Sequence, residues 1–178
     1  MIILGLLFLV FCNSVALAVP MAEFSYVETD LGGGMWQYDY TLFNTSDPVA
    51  DAGFDLYDIF ITFDPTATFT VAAIPAGWDW IGGSGFADMY SLNPGAPPVG
   101  TDIAPGTSLS GFSFMFDYQA GSLPFDVTFA NPVDPDNPAM YSGISSGSSA
   151  VPEPSTLLLL SAGITGMVLL RKRFKVRS

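Results

Sequence analysis

The stretch Ser108-Leu109-Ser110-Gly111-Phe112-Ser113-Phe114-Met115-Phe116-Asp117-Tyr118 indicates a β-strand more clearly than any other part of this chain. An aromatic ring recurs at every second position from Phe112 to Tyr118, so that all four rings lie on one face of an extended segment. Such alternation is typical of a strand that has one face in a core. We therefore predict an amphipathic strand at residues 108–118, in a protein built of sheets.

The same period of two recurs along most of the chain. Further strands are predicted at residues 35–44, 55–64, 66–74 and 125–131, with shorter ones at 22–29, 78–81 and 87–92. The alternation is broken near Asp58, which predicts a β-bulge there. Turn sequences such as Gly32-Gly33-Gly34 and Asn93-Pro94-Gly95 separate the strands. Since no segment within 19–150 keeps a period of 3.6, we predict an all-β domain, a single antiparallel β-sandwich.

Residues 19–150 carry charge of one sign only. All acidic residues of the chain except Glu153, 16 of the 17, lie in this segment, which contains no Lys, Arg, His or Cys. Without basic residues it cannot neutralise phosphates, so we exclude nucleic acid as a partner. Without His or Cys it holds no Ser-His-Asp or Cys-His nucleophile and no zinc site with nitrogen or sulfur ligands.

Five aspartates are candidate ligands for a hard cation. Asp51, Asp55 and Asp58 cluster around the start of a predicted strand, whereas Asp134 and Asp136 lie in a Pro-rich loop. Carboxylate oxygens suit Ca²⁺, and a bound cation lowers the self-repulsion of an acidic domain. Neither group has the EF-hand spacing, and solvated surface carboxylates are the alternative. We expect no cofactor other than Ca²⁺ at these positions.

Three tryptophans, Trp36, Trp78 and Trp80, are candidates for stacking on a sugar ring. If residues 78–81 form a strand, the indoles of Trp78 and Trp80 point to the same side, because side chains alternate along a strand. Carbohydrate-binding sandwiches use faces of this kind. The alternative, which we favour for any one of the three rings, is packing in the core or under a loop.

Paired carboxylates raise the hypothesis of an extracellular enzyme that cleaves glycans. Glycosidases use two carboxyl groups that are about 5 Å or about 6.5–9.5 Å apart, depending on mechanism. Among so many acidic residues some pair is expected at such a distance by chance, and the segment is small for a substrate cleft. We therefore predict a non-catalytic domain. A cleft with a buried carboxyl group of raised pKa would instead favour the enzyme.

Residues 151–178 have three parts. The sequence Val151-Pro152-Glu153-Pro154-Ser155-Thr156 comes first, and an uncharged apolar run follows at 157–170. The last eight residues then hold all the basic side chains of the chain, namely Arg171, Lys172, Arg173, Lys175 and Arg177. As a helix, residues 155–170 span about 24 Å, which crosses a bilayer if the basic side chains snorkel. The basic cluster then sets the C-terminus on the cytoplasmic side.

This tail resembles the PEP-CTERM sorting signal of Gram-negative bacteria that make exopolysaccharide. The resemblance rests on the Pro-Glu-Pro sequence at 152–154, the apolar run and the Arg-Lys-Arg cluster. It implies recognition by an exosortase, a membrane-embedded protease that would cut near Pro152-Glu153-Pro154 and release or transfer the upstream domain. A plain membrane anchor that is never cut is the alternative.

The N-terminus has the pattern of a secretory signal peptide. Residues 2–10 form an apolar run, and Ala16-Leu17-Ala18 is a cleavage site of the A-x-A type. We predict passage through the Sec translocon and cleavage by signal peptidase after Ala18. Cys12 suggests lipid attachment as an alternative, but Phe11 before it is larger than a lipid-attachment site needs.

These features predict four segments: a signal peptide at 1–18, an acidic β-sandwich at 19–144, a flexible linker at 145–150 and a sorting signal at 151–178. Helices are expected only in the two membrane-directed ends. We expect an exported protein, anchored in the inner membrane as a precursor and then displayed at the cell surface or released. Its expected role is structural or adhesive, with exopolysaccharide as a partner. A glycan-active enzyme and a carbohydrate-binding module are the alternatives.

Overall fold

The computed structural model describes residues 19–148, and the regular structure in that range is β-strand throughout. The strands are β1 (Ala22–Gly32), β2 (Met35–Asn44), β3 (Leu56–Thr62), β4 (Phe69–Ala73), β5 (Trp78–Gly83), β6 (Phe86–Ser91), β7 (Ser108–Phe116), β8 (Pro124–Phe129), β9 (Ala139–Ile144) and β10 (Ser146–Gly147). Sheet A has the order β10-β1-β2-β7-β4, and sheet B has the order β5-β6-β3-β8-β9. Neighbouring strands are antiparallel except β1 and β10, which are parallel.

The alternating phenylalanines of β7 explain how the two sheets pack. Phe112, Phe114 and Phe116 are fully buried, as predicted. Phe112 meets Trp78 of sheet B edge to face, with ring centroids 5.4 Å apart. Burying one such ring contributes about 1.5–3 kcal/mol to folding. The inner faces of the sheets therefore share one aromatic core, and the protein is a sandwich of two sheets.

The bulge predicted near Asp58 is confirmed. Leu56 pairs with Phe129 and Asp58 with Thr128, so β3 has one residue, Tyr57, more than β8 at this point. The extra residue shifts the alternation, so that Asp58 faces outward while Leu56 stays fully buried. Tyr57 is thereby turned towards one end of the sandwich.

The first residues of the predicted linker belong to the folded domain. Ser145 is buried, and its Oγ accepts a hydrogen bond of 2.7 Å from the N–H of Leu123. Ser146 and Gly147 then pair with β1 as the short strand β10. The prediction of a flexible linker from Ser145 is corrected for residues 145–148, because backbone pairing at a sheet edge needs no apolar side chain. Residues 149 and 150 lie outside the described range.

The strand directions define two ends of the sandwich. The end of β8 and the start of β9 lie at one end, which we call the loop pole. The start of β8, the end of β9 and the turn between β1 and β2 lie at the other, which we call the tail pole. Because β10 runs parallel to β1, the chain heads for the tail pole where the described residues end.

Within residues 19–148 no helix is long and apolar enough to cross a membrane. The predicted signal peptide, the sorting motif, the apolar run and the basic cluster all lie outside these residues.

Candidate functional site

A pocket of about 420 Å³ opens at the loop pole, and we call it the pole pocket. Carboxyl, phenol, hydroxyl and amide groups share its wall with four prolines. The lining residues are Asp55, Tyr57, Ser91, Pro94, Gly95, Asp102, Ala130, Asn131, Pro132, Pro135 and Pro138. Small-molecule sites in proteins have this size and this mixture of apolar wall and few polar groups.

Backbone pairing brings Asp55 and Asp102 to the same pocket from distant parts of the chain. Leu56 and Ile103 exchange two backbone hydrogen bonds of 2.9 and 2.8 Å, and in this antiparallel bridge Asp55 and Asp102, the residues before them, lie diagonally across from each other. The side-chain amide of Asn44 donates to the carbonyl of Ile103 at 2.9 Å and to that of Phe54 at 2.8 Å. The core strands therefore hold both carboxylates in place.

Asp102 is the most enclosed polar group of the pocket. It is 3% exposed, and its Oδ2 accepts a hydrogen bond of 2.7 Å from the N–H of Gly95. Its Oδ1 is buried and has no hydrogen-bond partner. Buried polar atoms are nearly always satisfied in folded proteins, so an orphaned carboxylate oxygen points to a ligand, an ion or a water.

The pole pocket carries negative charge on carboxyl groups that lie close together. Burial, and then the charge of Asp102, raise the pKa of the Asp55 carboxyl, although the backbone N–H of Ala96 opposes this. Burial and the charges of Asp58 and Asp102 raise the pKa of the Tyr57 phenol. Since residues 19–148 contain no basic side chain, no cation of the domain offsets these charges. The pocket therefore favours a positively charged or hydrogen-bond-donating ligand.

A second pair of carboxyl groups, Asp58 and Asp88, lies on the outer face of sheet B. Asp58 pairs with Tyr90 of β6, so Asp88 is its diagonal neighbour. Burial, the charge of Asp88 and a hydrogen bond with its carboxyl group raise the pKa of Asp58 to about 7, against a weaker opposing bond from Thr128. Two carboxyl groups in such contact share one proton.

Phenylalanines form the aromatic surface of this outer face. Phe60 and Phe86 are half-buried and stack with ring centroids 5.5 Å apart and an interplanar angle of 14°. Phe60 pairs with Asp88, and the half-buried Tyr90 lies on the same face. The outer face of sheet B thus combines aromatic rings with a carboxyl pair.

The three tryptophans lie on the inner faces. Trp78 is buried, and its Nε1 donates to the carbonyl of Thr101 at 2.8 Å. Trp80 meets Phe69 of sheet A edge to face at 5.9 Å, and Trp36 packs against the core. Trp78 and Trp80 do point to the same side, as predicted. That side faces sheet A, where Trp78 is buried in the core, whereas Trp80 keeps 36% of its surface exposed, and stacking of Trp80 on a sugar stays a prediction.

The first group of predicted metal ligands does not converge. Asp51 is buried, and its Oδ2 accepts a hydrogen bond of 2.9 Å from the N–H of Asp47, which closes a local turn. Asp55 lines the pole pocket, and Asp58 faces outward beside Asp88. Within residues 19–148, no three acidic side chains form a group that suits a metal ion.

The second group, Asp134 and Asp136, is exposed on the loop between β8 and β9. This loop contributes Pro132, Pro135 and Pro138 to the pole pocket, but neither aspartate lines it. Asn131 shapes the loop, because its Oδ1 accepts hydrogen bonds of 3.1 Å from the backbone N–H groups of Val133 and Asp134.

Asp88, Asp102 and Tyr57 were not among the predicted site residues. Alternation along residues 86–90 was sufficient to place Asp88 and Tyr90 on one face. The broken alternation near Asp58 also marked Tyr57 as the residue that a bulge would redirect. Nothing in the local sequence indicated the burial of Asp102, which depends on the bridge between Leu56 and Ile103.

The described chain runs towards the tail pole at Ser148, and residues 150–173 match the family described as the PEP-CTERM protein-sorting motif. The tail of this chain is a PEP-CTERM sorting motif. The match includes the Val-Pro-Glu-Pro-Ser-Thr sequence from Val151 to Thr156 and the first three basic residues, up to Arg173, but not Lys175 or Arg177. A PEP-CTERM motif implies export through a membrane-anchored precursor and processing by an exosortase.

Solved structures resemble the chain only distantly. Two structures of GH20 exo-β-N-acetylglucosaminidase from Vibrio harveyi, one in complex with N-acetylglucosamine and one of an inactive mutant, are 10% identical with a TM-score of 0.43. Each likeness covers 71% of this chain, which spans only 18% of the glucosaminidase. A chitin-binding domain from Streptomyces coelicolor is 14% identical with a TM-score of 0.35, over 71% of this chain and 92% of that domain. These scores carry no conclusion about function. Comparison with curated proteins gives no match.

Proposed function

We propose that this protein is a non-catalytic component of the cell surface or extracellular matrix, with a structural or adhesive role in contact with exopolysaccharide. The observation that carries the proposal is the junction between the two parts of the chain. The acidic sandwich is paired into sheet A as far as Gly147, and the sorting motif begins at residue 150. The sorting motif therefore directs the export and display of the acidic sandwich.

The charge of the domain supports a role in a hydrated matrix. Sixteen acidic residues and no basic residue within 19–148 keep copies of the domain apart and in solution. The same charge repels anionic polymers. Contact with a polysaccharide is therefore expected through neutral or cationic sugar units, which the pole pocket and the outer face of sheet B are suited to meet.

The intact mass of the protein recovered from the outside of its native cells tests the processing step. We expect a mass that starts at Val19 and ends within Pro152 to Pro154, with or without an added acceptor. Glu153→Ala serves as the matched variant, in which that end should not form. A mass that runs to Ser178 in both forms would refute exosortase processing and leave a simple anchor.

The adhesive role is tested by co-sedimentation of purified exopolysaccharide with the mature protein recovered from the same cells. We expect the mature protein to sediment with the exopolysaccharide and to stay in solution without it. A protein that stays in solution in both cases would refute the role, whatever the mass shows.

An enzyme that cleaves glycans is a second candidate, because one specific observation favours it. Asp55, a carboxyl group of raised pKa, lies in a pocket beside the buried Asp102, and an acid of this kind can protonate a leaving group. Incubation of the exopolysaccharide with the mature protein and with its Asp55→Asn variant separates the two proposals. New reducing ends that require Asp55 would establish the enzyme, and their absence would favour the non-catalytic role.

A further inference from the structure

We propose that the pole pocket binds a small organic ammonium ion, whose charged nitrogen lies between Asp55 and Asp102 and whose body packs on prolines and Tyr57. This inference names a ligand class and does not depend on the exopolysaccharide role.

The first argument is the uncompensated charge of the pocket. Asp102 lies close enough to Asp55 for its charge to raise the pKa of the Asp55 carboxyl. No Lys, Arg or His exists within residues 19–148 to pair with them. Opposite charge is worth most where water is excluded, so a cation in this pocket relieves repulsion that the chain itself cannot relieve.

The second argument is the orphaned oxygen of Asp102. The residue is 3% exposed and lines the pocket, yet its Oδ1 has no hydrogen-bond partner, whereas its Oδ2 is bound by the N–H of Gly95. An ammonium group carries three N–H donors and no acceptor. It therefore supplies a positive charge to both carboxylates and a hydrogen-bond donor to Oδ1 of Asp102, without placing an acceptor against them.

The third argument distinguishes an organic cation from a metal ion. Ca²⁺ takes six to eight oxygen ligands at about 2.3–2.6 Å. The pocket offers two carboxylates, and the Oδ1 of Asn131 is already occupied by two backbone N–H groups. Much of the remaining wall is proline, and the volume of about 420 Å³ exceeds what a bare ion fills. The proline rings and the ring of Tyr57, which also lines the pocket, instead suit the carbon body of a ligand.

The position of the pocket agrees with a ligand that arrives from outside. It opens at the loop pole, whereas the chain heads for the tail pole as it leaves sheet A. Attachment through the tail therefore leaves the pocket open to solvent.

Calorimetric titration of the full-length protein in a polyoxyethylene detergent at pH 6.5 and low salt tests the proposal. The probes are glucosamine, Nα-acetyl-lysine amide and the neutral N-acetylglucosamine. We expect at least one of the two amines to bind at least about tenfold more tightly than N-acetylglucosamine, which corresponds to about 1.4 kcal/mol. Binding of glucosamine alone would assign an amino sugar, and binding of the lysine amide alone would assign a protein amine.

Variants tie the binding to the pocket. Asp55→Asn and Asp102→Asn should each weaken amine binding at least about tenfold. Glu23→Gln, which removes one exposed charge from β1, should leave it within about twofold. If Asp102→Asn fails to fold, Asp55→Asn carries the test, because Asp55 is only half-buried.

Three outcomes would overturn the proposal. The first is that neither amine binds, or that glucosamine and N-acetylglucosamine bind with the same measurable affinity, which would indicate a neutral sugar site. The second is displacement of the amine by equimolar CaCl₂ through the same two aspartates, which would indicate a metal site. The third is amine binding that neither Asp55→Asn nor Asp102→Asn weakens.

Discussion

Asp102 and Gly95 hold each other through two hydrogen bonds. The N–H of Gly95 donates to Oδ2 of Asp102 at 2.7 Å, and the N–H of Asp102 donates to the carbonyl of Gly95 at 3.1 Å. Backbone groups thus keep a carboxylate enclosed in the pole pocket without a counter-ion. The loop at 93–102 and the pocket are consequently one structural unit.

Asp102→Asn should lower the pKa of Asp55. The amide oxygen still accepts from the N–H of Gly95, but the negative charge that raises the pKa of Asp55 is gone. Burial remains, and burial is the larger cause, so the pKa should stay above that of an ordinary aspartate. Carboxyl ¹³C NMR titration measures this change. An Asp55 titration curve that is the same in both proteins would contradict the charge coupling, and Glu23→Gln controls for the loss of one charge elsewhere.

The Asp58–Asp88 pair should make the domain more stable at pH 5 than at pH 7.5. Asp58 has a folded-state pKa of about 7, above the ordinary value of 3.8, so the folded state binds more protons between these values. The free energy of unfolding therefore falls as pH rises through that window. We expect a change of about 1–2 kcal/mol, after allowing for the solvent that screens a half-exposed pair.

Urea unfolding at several pH values measures this dependence, and two variants locate its source. Asp88→Asn removes the partner charge and should reduce the slope between pH 5 and 7.5, while burial of Asp58, the larger cause, preserves part of it. Asp79→Asn removes an exposed charge from the neighbouring β5 and should leave the slope close to that of the wild type. Equal slopes for Asp88→Asn and Asp79→Asn would assign the effect to overall charge and not to the pair.

Gly100→Ala should disrupt the loop at 93–101. A Cβ at this position would lie 2.0 Å from the carbonyl oxygen of Gly95 and 2.5 Å from those of Asn93 and Pro94. Three backbone groups would have to move together, so we expect a loss of about 2–3 kcal/mol in the free energy of unfolding. Hydrogen exchange should show the loss of protection at Thr101 and Asp102. Gly33→Ala is the control, because nothing lies within 4 Å of its Cβ and only the left-handed backbone angle opposes it.

Trp78→Phe should destabilise the domain more than Trp80→Phe. Trp78 is buried, packs on Phe112, and donates a hydrogen bond to the carbonyl of Thr101. The smaller ring leaves a void and an unpaired carbonyl, which together cost about 2–3 kcal/mol. Trp80 is 36% exposed, so its replacement should cost about 1 kcal/mol or less. Urea midpoints measure both effects, and equal midpoints would argue against a structural role for Trp78.

Ser145→Ala should weaken the junction between the sheets and the tail. The Oγ of Ser145 is the acceptor for the buried N–H of Leu123, and its loss leaves that donor unpaired. We expect a cost of about 1–2 kcal/mol and faster hydrogen exchange at Leu123. Ser142→Ala, which loses only an exposed hydrogen bond to Asp126, is the matched control. Unchanged exchange at Leu123 in Ser145→Ala would contradict the junction.

Alternating side chains predicted much of this fold, because each half-buried strand records its two faces in its own sequence. The strand from Met35 to Asn44 was predicted with its observed bounds, and the bulge at Tyr57 followed from the broken alternation. By contrast, β9 and β10 lie at sheet edges, where backbone pairing with β8 and β1 replaces an apolar pattern. No strand was predicted at β9, and the Ser- and Gly-rich sequence around β10 indicated a linker instead.

The pole pocket was beyond prediction from local patterns. Asp55 was identified as a candidate ligand, but its partner Asp102 is 47 positions away and joins it only through the bridge between Leu56 and Ile103. For the tryptophans, in contrast, a local pattern was sufficient for part of the prediction. Their spacing gave the correct common side for Trp78 and Trp80, but alternation alone does not reveal which side of a strand is the interior.

The pairing of β10 with β1 also limits the distance between the folded domain and the sorting motif. Only three residues lie between Ser148 and Pro152, and four extended steps of the chain span about 14 Å. A protease that cuts the sorting motif has to work close beside the folded body. A product joined at that point would keep Ser148 within about 14 Å of its attachment.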